Sequence, residues 1–498
     1  MEEVTSKVDS FRRGRISFRL KMSNVLILGI VLLAAYLRLN NITGYMTFLG
    51  DEGRDVLVVK RMLVDHKWTL LGPTASVGGF FLGPVYYYFM LPFLWLWRLD
   101  PTGPAVMVAL FGIATVYLLY RAGRDMFNPW VGIVASALYA SSPVVIAYSR
   151  SSWNPNLVPF FSLMTIYLLW KYTESGKPRY VFWTGICLGI GLQLHYLFVF
   201  LFPVAFLWTK PRSWITLGIG FVFGYAPFLL FELRHGFPNT RSIVQFILAG
   251  KDTGFSTVAF QATVSEVIFR SIGRLVLRLP EGEVPQLWQW RIGGILLASI
   301  AILAYSFRNA QYRLLLLWGG TVATLYGFYR RAIYDYYFGI WFALPFFLTA
   351  LVLYQIKKIR FAGWALAGVL VAFLLWWNWE GRPFRYAPNN QLSQASSIAR
   401  EAFEKTNGKL FNFALVTQGN SDHAYRYFFE IWGNPPVTIE PEFKDPERKT
   451  VMDQLIVICE VSACKPLGHP LWEIAGFGTA TISGTWQTPF VTIHKLVH

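Results

Sequence analysis

The sequence predicts an α-helical polytopic membrane protein with about eleven transmembrane helices and a small C-terminal extracytoplasmic α/β domain. Three observations predict it. Of the 498 residues, 54% are hydrophobic and 17% aromatic but only 15% charged, and the mean hydropathy is +0.40, a combination that soluble domains seldom reach. Apolar runs of near-spanning length recur up to residue 379, separated by short connectors rich in Lys and Arg. After Trp376-Trp377-Asn378-Trp379, an aromatic belt at a membrane boundary, the composition becomes that of a soluble domain.

The formal charge of +17 would suit nucleic acid, but the basic residues lie between apolar runs rather than on one polar domain. Membrane lipids and anionic lipid phosphates are therefore the expected partners, and nucleic acid is not. Three cysteines are too few for a disulfide framework. Cys459 and Cys464 suit one bridge if their region is extracytoplasmic; free buried thiols are the other reading.

Residues 1–23 read as a basic cytoplasmic N-terminus, with Lys7, Arg12, Arg13, Arg15, Arg19 and Lys21, followed at once by the apolar run 25–39. This is a signal-anchor with its N-terminus inside: no small-residue cleavage site follows, and Arg38 ends the run. The transmembrane region is 24–379. Its first outer loop, 40–103, holds Phe48-Leu49-Gly50-Asp51-Glu52-Gly53-Arg54-Asp55, an amphipathic piece at 56–64 and the apolar run 80–99. If 80–99 spanned, every basic connector beyond it would move outside. It is read instead as a juxtamembrane or re-entrant piece broken at Gly83-Pro84 and Pro92.

Spanning runs follow at 104–120, 131–147, 158–170, 180–194, 197–208, 214–231, 292–307, 314–328, 338–354 and 361–379. The connectors with Arg121 and Arg124, Lys171 to Arg179, Lys210 and Arg212, Arg308 and Arg313, and Lys357 to Arg360 are cytoplasmic by charge. A long outer loop, 232–286, carries Arg270, Arg274 and Arg278 at every fourth residue, hence on one helical face. That stripe either grips a phosphate or rests on anionic headgroups. In the domain 380–498, helices are expected at 392–405 and 424–432, buried strands at 410–417 and 454–459, and alternating strands over 479–497. It shows no nucleotide loop or metal cluster. No cofactor is called for, and His423 and His469 read as ordinary loop histidines.

Acids at the rim of a bilayer are costly to desolvate and rarely persist without a partner or a task. Asp51 and Glu52, with Arg54 beside them, are therefore read as an active site facing the outer side. The other reading makes Asp51 the N-cap of a helix from 52 to 64. On the same face, Tyr86 and Tyr87 either stack on a sugar or acceptor or anchor the interface. Arg150 and Asn154 line a pocket or begin a helix; His195 belongs to the site or to a hydrogen-bonded turn. Arg330 and Arg331 bind phosphate, or Asp335 neutralises one of them. The clustered acids leave a divalent metal open.

The order of these features resembles the membrane-embedded glycosyltransferases of the GT-C superfamily, in the branch of protein O-mannosyltransferases and the aminoarabinose transferases of lipid A. The matching residues are Asp51-Glu52 in the first outer loop, Met62-Leu63 with Trp68-Thr69, Gly83-Pro84-Val85-Tyr86-Tyr87-Tyr88, and Leu138-Tyr139-Ala140-Ser141-Ser142-Pro143 running to Tyr148-Ser149-Arg150. They fall in the first half of the chain. The lipid A branch has Glu-Lys before the equivalent proline, where this chain has Leu82-Gly83, so that branch's substrate does not carry over.

The resemblance implies a sugar donor on a polyprenyl phosphate, transfer with inversion at the outer leaflet, no metal requirement, Asp51 as general base on the acceptor hydroxyl and Glu52 orienting sugar or acceptor. An acceptor glycan, lipid or protein is implied without being named. Arginines suit the departing phosphate, since they stay charged near lipid and fork onto its oxygens; the candidates are Arg150, Arg274, Arg278, Arg330 and Arg331. A transporter or flippase of lipid-linked sugars is the competing class. Transporters usually carry internal repeats, and none is evident here.

Overall fold

The computed structural model describes residues 23–75, 79–250, 253–280, 286–462 and 464–498. The basic segment 1–22 lies outside the described residues, as do four short internal pieces, two of them, 251–252 and 281–285, in the expected long outer loop. The chain forms two compact units. One comprises Met1–Asn40, Thr69–Tyr86 and Val106–Ala387; the other comprises Asn41–Trp68, Tyr87–Ala105 and Pro388–His498. The acid-bearing stretch thus shares a unit with the C-terminal residues.

The first unit is helical, and its helices approach closely where glycines remove side chains. A Cβ on Gly185 would sit 2.2 Å from the Leu217 carbonyl oxygen, and one on Gly220 would sit 2.0 Å from that of Phe182. Pro178–Leu194 and Trp214–His235 therefore pack backbone to backbone, as small residues allow between apolar helices. Among the described residues, two helices, Thr102–Met126 and Pro211–His235, are long and apolar enough to cross a membrane. Asp335–Trp341 and Ala343–Lys357, bent by 64°, make a third if the pair is one span.

Other apolar runs are split where proline or a 3-10 turn interrupts the helix. The run 131–147 becomes Pro129–Ser141 and Pro143–Tyr148, broken before Pro143. The run 197–208 becomes the 3-10 turn Tyr196–Phe200 and the helix Leu201–Trp208. Residues 232–286, expected as a loop, hold two helices, Pro238–Ala249 and Thr257–Leu275. The run 80–99 yields only the helix Val85–Leu96. Its 12 residues reach about 18 Å, well short of a hydrocarbon core of about 30 Å.

The second unit carries a four-stranded sheet in the order β1-β2-β4-β3, where β1 is Asn412–Val416, β2 Gln454–Cys459, β3 Thr481–Gln487 and β4 Thr492–Val497. β1 and β2 are parallel, with Ala414 opposite Val457; β4 runs antiparallel to both β2 and β3. Every residue of β1 and β2 is buried, as an uninterrupted apolar strand covered on two faces should be. On one face Ala414, Val416, Leu455, Val457 and Leu496 pack with Ile439, Ile474 and Phe477. On the other, Phe413 meets Phe429 of the helix His423–Ile431, at 5.0 Å between ring centres. β3 is the exposed edge. Cys459 and Cys464 are joined in a disulfide.

Candidate active site

The acidic stretch forms the first turn of a helix, Gly50–Leu63. Its N-cap is Leu49, two residues earlier than the Asp51 cap the sequence allowed. Leu49 has no capping oxygen, so its own N–H is satisfied by Glu52, whose Oε2 accepts it at 3.0 Å. Asp51 is thereby left uncommitted to the cap, with its side chain 55% exposed.

Arg54 ties the acids together. Its Nη1 donates to Asp51 Oδ1 at 2.8 Å, while Nε and Nη2 both donate to Asp55 Oδ1 at 2.9 and 2.8 Å. Tyr87 adds a hydroxyl donor to the same Asp55 oxygen at 3.2 Å. Asp55 is fully buried, and its Oδ2 has no hydrogen-bond partner among the described residues. An exposed carboxylate is thus held through an arginine by a buried one, which fixes its position without covering it. Burial pushes Glu52 up to about 7 and Asp55 up to about 6, with Arg54 opposing the rise at Asp55 and the neighbouring acids adding to it at both.

The C-terminal residues grip this helix at both ends. Asn420 Oδ1 accepts the Gly50 N–H at 2.9 Å, and Glu430 pairs with Lys60 at 3.3 Å and Arg61 at 3.1 Å. In between, the backbone of residues 421–424 lies against the helix. A Cβ on Gly50 would meet Ser421 Oγ at 2.1 Å, and one on Gly53 would meet the Ala424 nitrogen at 2.4 Å. The two glycines flanking Asp51-Glu52 are thus the footprint of that loop. Glu460 braces the loop from behind, accepting from Thr417, Asn420 and Tyr425.

The remaining candidates lie in the other unit. Tyr86 and Ser152 share a hydroxyl–hydroxyl bond of 2.7 Å, and Asn154 donates to the Leu194 carbonyl at 2.7 Å. Arg150 is buried and donates to the carbonyls of Leu37 and Asn40, both at 2.8 Å, at the C-terminal end of the helix Ser23–Leu39. His195 Nδ1 accepts the Leu197 N–H, capping the 3-10 turn, and the ring lies against Tyr336 and Tyr337.

The arginine stripe is not one face. Arg270 and Arg274 stay on the helix and converge on Asp335, at 2.9 and 2.6 Å. The helix ends at Leu275, so Arg278 leaves it with φ 55° and stacks 4.6 Å above Trp377. Asp335 therefore answers Arg270 and Arg274. Arg330 donates to the Phe255 carbonyl at 3.0 Å, and Arg331 is exposed. Arg278 is half-buried and has no ion-pair partner among the described residues.

Asp55 is the residue that reading the sequence left without a role; its position one turn after Asp51, beside an arginine, was the signal. Among the described residues, the one group of side chains able to converge on a metal ion is Cys459, Cys464 and His494, whose sulfurs are bonded to each other.

Residues 82–233 match the model of the dolichyl-phosphate-mannose-protein mannosyltransferase family. The resemblance drawn from the sequence agrees with that match over those residues. The chain shares its fold with ArnT from Cupriavidus metallidurans bound to undecaprenyl phosphate, at 12% identity and a TM-score of 0.64, over 95% of this chain and 97% of that one. The apo state of the same protein matches at 11% identity, a TM-score of 0.64 and 96% and 98% coverage. A stretch of 99 residues is 28% identical to a putative mannosyltransferase, YkcB, of Bacillus subtilis; it covers 20% of this chain and 14% of that protein.

Proposed function

We propose that the chain moves a sugar from a polyprenyl-phosphate donor to an acceptor glycan, lipid or protein on the outer face of the cell membrane, inverting the anomeric carbon, with Asp51 as general base. The observation that carries this reading is the Asp51–Arg54–Asp55 array, an open carboxylate held by a buried ion pair. Displacement at an acetal carbon needs a base on one face and charge neutralisation of the departing phosphate on the other. Asp51 takes the proton of the acceptor hydroxyl as its oxygen attacks, and the sugar–phosphate bond breaks with the electron pair leaving on the lipid phosphate. Glu52 orients the reacting groups through the turn that it caps.

For the phosphate, Arg278 fits best, since it keeps a guanidinium stacked on an indole without an acid partner among the described residues. Arg150 and Arg274 are engaged within the protein, and Arg330 and Arg331 stand as outer alternatives. Tyr86, Tyr87, Asn154 and His195 are proposed around the substrates. The donor class has the support of the family match and of the fold shared with a protein bound to undecaprenyl phosphate. The proposed domains are a cytoplasmic segment 1–23, a catalytic membrane region 24–379 of about eleven spans and an extracytoplasmic domain 380–498. The Cys459–Cys464 disulfide supports an oxidising, outer location for the last of these.

Mass spectrometry of glycolipids, cell-wall glycans and glycoproteins from cells with and without the chain tests this. A lost glycan with accumulated donor is expected, restored by the wild type and not by Asp51→Asn at equal membrane abundance. Full restoration by both Asp51→Asn and Glu52→Gln would end the proposal.

A further inference from the structure

The C-terminal domain shows no catalytic signature in its sequence, yet it places a histidine beside the acids. The Gly53 position meets the His423 backbone, where a Cβ would come within 2.7 Å of its carbonyl carbon. Asp51 and Arg54 are near enough for their charges to bear on the imidazole. Ser421 Oγ is 2.8 Å from His423 Nδ1 and fixes the ring; Nε2 has no hydrogen-bond partner among the described residues, and the side chain is 38% exposed. The loop that carries it is held by Asn420 on Gly50 and by Glu460 behind, so the ring sits on a braced support.

We propose that His423 belongs to the transfer site and binds the acceptor: Nε2–H donates to the oxygen of the hydroxyl whose proton Asp51 removes. This rests on the reading of Asp51 given above. In the tautomer proposed, Ser421 Oγ–H donates to Nδ1 and the neutral ring carries its proton on Nε2, where it can donate. Burial, with help from Arg54 and Arg426 and against the pull of Asp422 and Asp51, holds its pKa below the usual histidine value, which keeps the ring neutral at neutral pH. A hydroxyl gives up its single proton to Asp51 and so can only accept from His423; the two side chains have complementary tasks.

The test uses the full-length protein in vesicles, with donor lipids and envelope membranes extracted from cells lacking the chain as the source of donor and unmodified acceptor. His423→Phe keeps a ring without the donor, and His423→Gln keeps an N–H near the same place. Loss of one acceptor hydrogen bond should raise the half-saturating amount of acceptor membranes by roughly tenfold in His423→Phe. Binding of undecaprenyl phosphate, read by tryptophan fluorescence, should stay unchanged, and His423→Gln should recover most of the loss. Wild-type saturation in both variants, or equal losses of phosphate binding and melting temperature without recovery in the Gln variant, overturns the proposal. If Asp51→Asn is inactive while both His423 variants behave as wild type, only the role of His423 fails; if the wild type itself transfers no sugar, the parent reading fails with it.

Discussion

Asp51 and Glu52 are neighbours in sequence and opposites in environment. Asp51 faces solvent beside a guanidinium, whereas Glu52 is buried and turned back onto the Leu49 N–H. Because the folded pKa of Glu52, about 7, stands above its ordinary 4.5, folding favours the protonated acid. Its contribution to stability is complete below about pH 4.5 and is lost as pH rises through 7. Glu52→Gln keeps the capping acceptor and removes the titration, so its melting temperature should be flatter than the wild type's between those limits; thermal unfolding in detergent across that range measures it. At Asp55 the expectation differs. Asp55→Asn weakens the hold on Arg54 and frees Asp51 to move, and a loosened base should lower kcat by ten- to a hundredfold with acceptor KM little changed. The acids stood out in the sequence because carboxylates are scarce in it, with 28 among 498 residues. Their division of labour did not, because it depends on Tyr87 and on residues 420–424, which lie far along the chain.

At the scale of elements, periodicity located the pieces of the C-terminal domain well: the strands expected at 410–417 and 454–459 are β1 and β2, and the helix expected at 424–432 is His423–Ile431. Such strands and helices announce themselves by local pattern. The arginine stripe misled, because a spacing of four residues implies one face only while the helix lasts, and this one ends between Arg274 and Arg278. The end is set by tertiary bonds: Ser142 takes the Leu275 carbonyl, Asn378 that of Val276 and Trp377 that of Leu277. Arg270 and Arg274 are accordingly structural, closed on a buried Asp335. Removing that acid takes away the buried carboxylate that the two arginines share, so Asp335→Ala should destabilise the fold by about 3–5 kcal/mol, seen as a lowered melting temperature. Arg278→Ala removes a cation stacked on the face of an indole and should leave the melting temperature within a few degrees of wild type while, on the function proposed above, weakening undecaprenyl phosphate binding.

For the whole molecule, the decisive quantity is the parity of membrane crossings. Charge in the connectors placed the N-terminus inside, and counting 80–99 as a crossing would reverse every loop after it. The helix formed there, Val85–Leu96, contains Pro92 and is followed by positive φ at Arg98 and Leu99, so its path is turned before a membrane thickness is covered. The next helix, Thr102–Met126, has 25 residues and reaches about 37 Å, enough to cross with tilt. A tag after Leu99 should therefore report outside and a tag after Arg121 inside. The disulfide gives an independent arm: with the C-terminal domain outside, Cys459 and Cys464 stay closed in intact cells and become alkylated by a membrane-impermeant maleimide only after an impermeant phosphine has reduced them. Cys187, buried among apolar side chains, should stay unlabelled throughout. Absence of labelling at 459 and 464 in intact cells even after the phosphine, with labelling once the cells are permeabilised, together with inverted tag signals, would put the acids on the cytosolic side and remove the outer-leaflet reaction with them.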